Sequence, residues 1–140
     1  MRERTLVILK PTAIENRIAG KILESIEDKG LKIAGAKMLW IDRDLAEKHY
    51  AEHRAKSFFE RLIEHITSKP VMLLAVEGEN AIAAMRQLAG ATDPLEAEAG
   101  SIRGRFGTGI TENVIHASDS MDSAKREIEL FFKPEELYTY

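Results

Sequence analysis

The chain has 140 residues, no cysteine, and 20 Lys and Arg against 23 Asp and Glu, a formal net charge of −3. The missing cysteines exclude a disulfide scaffold, a thiolate metal site and a cysteine nucleophile. The slight acidity argues against a dedicated nucleic-acid binder, which is usually basic. Hydrophobic content of 44% with 31% charged residues is ordinary globular composition. The length fits one domain. The longest apolar run, residues 71–76, falls far short of the ~18 residues of a membrane span. Residues 5–9 are too short a run for a leader, so a cytoplasmic location is expected.

Residues 5–10 read as a buried strand ended by Pro11. Residues 17–29 place Ile18, Ile22, Leu23 and Ile26 at helical spacing, with Gly30 as the stop. Residues 31–41 alternate loosely and read as a second strand. Asp44 and Glu47 form a capping-box variant that opens a helix. A second helix follows, with Phe59, Leu62, Ile63 and Ile66 on one stripe. Pro70 breaks that pattern, and residues 71–76 read as a third strand. Residues 80–89 form a helix with Ile82, Met85 and Ala89 inward and Gly90 at its end.

Residues 90–112 show no periodicity and contain Gly100, Gly104, Gly107 and Gly109. A loop of that length in a compact domain is usually functional. Residues 113–116 make a short last strand. Ser120 caps a final helix with Ala124, Ile128 and Phe131 inward, followed by Pro134. The order β-α-β-αα-β-α-loop-β-α predicts an α+β fold. It is a ferredoxin-like antiparallel four-stranded sheet with helices packed on it and a long active-site loop. One domain covers residues 1–140.

Two phosphate-binding motifs are absent. A P-loop needs glycine five residues before Gly20-Lys21, where Glu15 stands, and a dinucleotide fingerprint from Gly107 fails at Glu112. His49 and His53 are four apart, but Tyr50 stands where the zinc-protease pattern needs glutamate. They read as a mixed helix face, and His65 as a surface residue.

His116 stands out. Alone, a histidine ending an apolar run reads as a satisfied core residue. Glu127 changes that reading. It lies three residues after Ala124 and four before Phe131, inside the apolar stripe of the last helix. A carboxylate there needs a partner, because an unpaired buried charge is costly. Lys125 or Arg126 could serve only poorly, as adjacent helix positions face elsewhere, whereas a histidine near its start is well placed. A carboxylate that fixes an imidazole's tautomer is what a histidine nucleophile needs. Ser118 adds a hydroxyl, and Thr92 another. Lys10, Arg86, Arg103 and Arg105 supply cations, and guanidinium groups grip phosphates bidentately. A histidine among such donors points to phosphoryl transfer through phosphohistidine.

The segment Asn113-Val114-Ile115-His116-Ala117-Ser118-Asp119-Ser120 resembles the nucleoside diphosphate kinase signature, N-x-x-H-[GA]-S-D. Other segments agree in the same order: residues 5–11, His49-Tyr50, Phe58-Phe59, Lys69-Pro70-Val71, residues 90–94, residues 100–104 and residues 131–137. The resemblance covers essentially the whole chain. It implies that His116 is phosphorylated by a nucleoside triphosphate, mainly ATP, and passes the phosphate to a diphosphate in a ping-pong cycle. It implies that Glu127 and Ser118 orient His116, and that Lys10 and Asn113 contact the ribose hydroxyls. Arg86, Thr92 and Arg103 would bind phosphates, with Tyr50 and His53 close by. Phe58 would stack on the base and Ile110 would cover its other side.

The substrates implied are ATP, GTP, CTP, UTP, their deoxy forms and the matching diphosphates, with low base specificity because stacking accepts any base. The resemblance implies Mg²⁺ held mainly by nucleotide phosphates, with no protein metal ligands. It also implies a homo-oligomer, either a hexamer or a tetramer of dimers. Pro94 lies in a loop that helps hexamers assemble, which favours the hexamer. No nucleic acid or membrane partner is implied. Two positions depart from the family: Thr12, commonly aspartate, and Ser57, commonly proline. The competing class is a non-catalytic ferredoxin-like module that binds nucleotide or RNA, which has no need for His116 backed by a carboxylate.

Overall fold

β1 (Arg2–Leu9) is buried without interruption from Thr5 to Leu9. A strand with no exposed face needs cover on both sides of its sheet, and this strand has it. The computed structural model describes residues 1–107 and 113–140. β1 pairs antiparallel with β3 (Val71–Glu79), and β3 with β2 (Lys32–Leu39). On its other edge β1 pairs antiparallel with β4 (Ile115–Ala117). The sheet order is β2-β3-β1-β4, the ferredoxin-like arrangement expected from the sequence.

Alternate residues of β1 feed two cores. Leu6 and Ile8 face α3 (Arg43–His49), α4 (Phe59–Thr67) and α7 (Met121–Phe131), meeting Ala46, Ile63, Ile66 and Phe131. Val7 and Leu9 face α1 (Pro11–Glu15), α2 (Ala19–Asp28), α5 (Ala81–Ala89) and α6 (Ile102–Phe106), meeting Ala13, Ile22, Met85 and Ile102. Ser120 caps α7 as expected, its hydroxyl accepting from Ser123 N–H at 3.1 Å.

Several boundaries differ from the sequence reading. Pro11 opens α1 rather than ending the segment, since its fixed φ and missing N–H suit the first helical position. The cap of α3 is Asp42, which accepts from Leu45 N–H at 2.8 Å, and not Asp44, which lies in the first turn. The stretch from residue 90 is not all loop. Ser101 caps α6 by accepting from Gly104 N–H at 3.1 Å, but five residues around a glycine show no helical period. The last strand begins at Ile115 rather than Asn113. Asn113 turns its side chain back to accept from Val114 N–H at 2.8 Å, which takes that amide out of the ladder.

Candidate active site

β1 and β4 end side by side, and Lys10 N–H donates to the Val114 carbonyl at 2.9 Å just beyond them. There a cavity of about 330 Å³ opens, walled by α3 and α4 on one side and by the α5 end on the other. The structure brings Lys10, Tyr50, His53, Phe58, Arg86, Thr92, Arg103, Asn113, His116 and Glu127 to its walls. Ser118 is fully buried behind it. Ile110 lies outside the described residues.

His116 pairs with Ile8 across the β1–β4 ladder, so its ring is sent to the same face as Ile8, toward α3 and α7. Its Nε2 lies 2.8 Å from Glu127 Oε1. Ser118 Oγ donates to the same oxygen at 2.7 Å and accepts from Leu6 N–H at 3.2 Å. Glu127 is only 4% exposed, and these two donors, with Arg126 at 3.6 Å, make its burial tolerable. A carboxylate accepts and does not donate, so Nε2 carries the ring proton. In the neutral ring this tautomer leaves Nδ1 with its lone pair.

The two arginines are anchored by main-chain oxygens, Arg86 donating to the Ala117 carbonyl at 3.5 Å. Arg103 is buried and donates to the carbonyls of Gly90 at 2.7 Å and Ile115 at 3.1 Å. Burial, then the charge of Arg86, lowers its guanidinium to about 10. Gly90 is required for this contact. Its φ is +90°, and a Cβ there would stand 2.3 Å from Ser101 Oγ. Lys10 is buried, and burial followed by Arg103 lowers its ammonium to about 8. Asn113 donates to the Thr92 carbonyl at 3.1 Å, linking the two walls. Arg105 departs from the sequence grouping: it is exposed and lies over the Phe106 ring, away from the cavity.

Phe59 belongs to the core, while Phe58 is half-buried at the cavity wall. His49 is not on a mixed surface face. It is 3% exposed, its ring centroid 4.7 Å from that of His116 in an edge-on arrangement, and neither ring nitrogen has a hydrogen-bond partner among the described residues. Burial first, then nearby cationic groups, holds its pKa well below the usual histidine range, so the ring is neutral. Its position three residues after the core residue Ala46 was the available signal. His65 is not a plain surface residue either. It is half-buried, with Nε2 3.3 Å from Thr12 Oγ1 and 3.4 Å from the Asn113 carbonyl.

Three groups that ligate metals, His49, His116 and Glu127, lie within 4.8 Å of one another. The set is nitrogen-rich and Glu127 already accepts two hydrogen bonds, whereas Mg²⁺ demands oxygen. The other acidic groups on the wall, Glu52 and Asp119, face a cavity dominated by Lys10, Arg86 and Arg103. Among the described residues this donor set forms no closed oxygen cage of the kind Mg²⁺ prefers.

The family model described as nucleoside diphosphate kinase matches residues 3–137. The chain belongs to the nucleoside diphosphate kinase family. The nucleoside diphosphate kinase of Pyrococcus horikoshii is 57% identical over 141 residues, covering 99% of this chain and 90% of that protein. That of Thermococcus kodakarensis is 58% identical, covering 99% and 81%. Among solved structures, the Halobacterium salinarum nucleoside diphosphate kinase in complex with CDP superposes with a TM-score of 0.97 at 44% identity. It covers 100% of this chain and 93% of that one. The Aquifex aeolicus nucleoside diphosphate kinase gives 0.96 at 41% identity, covering 98% and 99%. Every element of this nucleoside diphosphate kinase fold from β1 to α7 overlaps the matched region.

Proposed function

We propose that the chain transfers the γ-phosphate of a nucleoside triphosphate, mainly ATP, to a nucleoside diphosphate through a phosphohistidine at His116. The observation that carries this reading is the 2.8 Å contact from His116 Nε2 to buried Glu127, which reserves Nδ1 as the nucleophile of a ring that lines the cavity. Nδ1 attacks the γ-phosphorus. An N–P bond forms, the bond from phosphorus to the β-phosphate oxygen breaks, and the diphosphate leaves. The positive charge that develops on the ring is balanced by Glu127, which Ser118 holds in place. An acceptor's terminal phosphate oxygen then attacks the phosphohistidine and restores the neutral ring.

Arg86, Thr92 and Arg103 bind the phosphates. Such transfer is mostly positioning and charge stabilisation, which these anchored donors supply. Tyr50 and His53 border the transferred group. Lys10 and Asn113 take the ribose hydroxyls. Phe58 stacks on the base, a grip that does not read base edges. Mg²⁺ bound to the nucleotide neutralises phosphate charge. The reading takes residues 1–140 as one kinase domain in a cytoplasmic homo-oligomer, a hexamer or a tetramer of dimers. Among the described residues no helix is long and apolar enough to cross a membrane, and Leu95, beside Pro94, is 95% exposed and free to meet another subunit.

Initial-rate kinetics test the reaction. With ATP as donor and GDP, CDP or UDP as acceptor, parallel double-reciprocal lines are expected, with similar kcat/KM for all three. Intersecting lines, or turnover with one base alone, would contradict it.

Lys10 makes the site pH-dependent. Its ammonium is charged below about 8 and loses its proton above that value. The KM for diphosphate is therefore expected to rise between pH 8 and 9.5, and Lys10→Arg, which keeps its charge, is expected to flatten that rise. Stability moves the other way. The unfolded lysine keeps its proton up to about 10.4, so between about 8 and that value unfolding takes up a proton and stability increases with pH. A flat KM profile in the parent protein would refute this placement of Lys10.

A further inference from the structure

We propose that His65 is a positioning residue for the ribose subsite, bracing from behind the two segments that carry Lys10 and Asn113. This inference rests on the nucleotide reading above. Neither segment is held by the sheet itself. Lys10 follows β1 as the cap of α1, and Asn113 precedes β4. One main-chain bond joins them, from Lys10 N–H to the Val114 carbonyl at 2.9 Å. The Asn113 side chain donates one N–H to the Thr92 carbonyl and accepts from Val114 N–H, which leaves its second N–H for the ribose.

His65 reaches both segments at once. Its Nε2 lies 3.3 Å from Thr12 Oγ1 and 3.4 Å from the Asn113 carbonyl oxygen. An Nε2–H between two oxygens makes one bifurcated donation, long on each arm but joining the two segments.

The helix gives the brace its reach. Phe58 caps α4, and Leu62 and His65 follow it at four and seven residues, one face of a helix. Phe58 and Leu62 line the cavity. One rigid element therefore presents the base platform at its start and the brace for the ribose grips two turns later. Its register sets the distance between the two subsites.

The test compares GDP with 2′,3′-dideoxy-GDP as acceptors, with ATP as donor. His65→Ala is expected to raise the KM for GDP about fivefold while leaving that for dideoxy-GDP nearly unchanged, so discrimination between them shrinks. His65→Gln, whose amide N–H can donate to the same oxygens, is expected to recover most of the loss. Thr12→Val removes one acceptor and keeps the helix intact; a rise of roughly twofold for GDP alone is expected. This variant decides the matter if His65→Ala does not fold. Equal rises for both acceptors, an unchanged KM for GDP, or no rescue by glutamine would overturn the proposal. So would a parent enzyme that does not distinguish the two acceptors. Absence of any phosphohistidine in the parent protein is a separate outcome, which removes the functional reading itself.

Discussion

His116→Ala is expected to lower kcat by at least ~10⁴-fold, because a nucleophile and its orienting groups act as one unit. Nucleotide binding should survive, since Arg86, Arg103 and Phe58 reach the cavity from other elements. The fold should lose only about 1–3 kcal/mol. Glu127 is deprived of its imidazole donor but keeps Ser118 at 2.7 Å and Arg126 at 3.6 Å. Steady-state assays with titration calorimetry on the same preparation separate the two effects. Ordinary turnover in this variant would show that phosphate does not pass through His116.

The second large effect belongs to Glu127. Glu127→Gln keeps an oxygen that can accept from His116 Nε2 and Ser118 Oγ, so the ring orientation is retained. It removes the negative charge that balances the ring as the N–P bond forms. Carboxylates that orient metal-bound histidines are worth about 10–100-fold, and a loss of at least that size is expected here. That loss is expected in kcat, with the diphosphate KM almost unmoved, because Glu127 lies behind the imidazole and not among the phosphate donors. An unchanged kcat would mean that the carboxylate serves packing alone. A loss confined to KM would place it among the substrate contacts instead.

Much of this arrangement was legible in the sequence. A carboxylate inside the apolar stripe of α7 has few physical justifications, and pairing with His116 is one that the sequence itself offers. The buried strands β1 and β3 and the stripe of α4 were legible because each runs long enough to show a period. α1 and α6 were not, since five residues give little more than one turn and α6 contains Gly104. Arg103 and Arg105 looked alike as neighbours in a glycine-rich segment. Only the fold shows that one turns inward to Gly90 and Ile115 while the other lies over Phe106. His49 and His65 were misread for a related reason. Helical spacing gives a residue's angle around its own helix, but what that face meets is decided by elements far away in sequence, here β4 and α1.

The most direct measurement of the central claim is incubation of the protein with γ-labelled ATP and Mg²⁺, followed by stability and chase tests on the labelled chain. The expected result is label that is lost in acid, persists in alkali, maps to His116, and moves onto added GDP or CDP as the triphosphate. Label stable to acid, label on another residue, or label that does not chase onto a diphosphate would contradict transfer through His116.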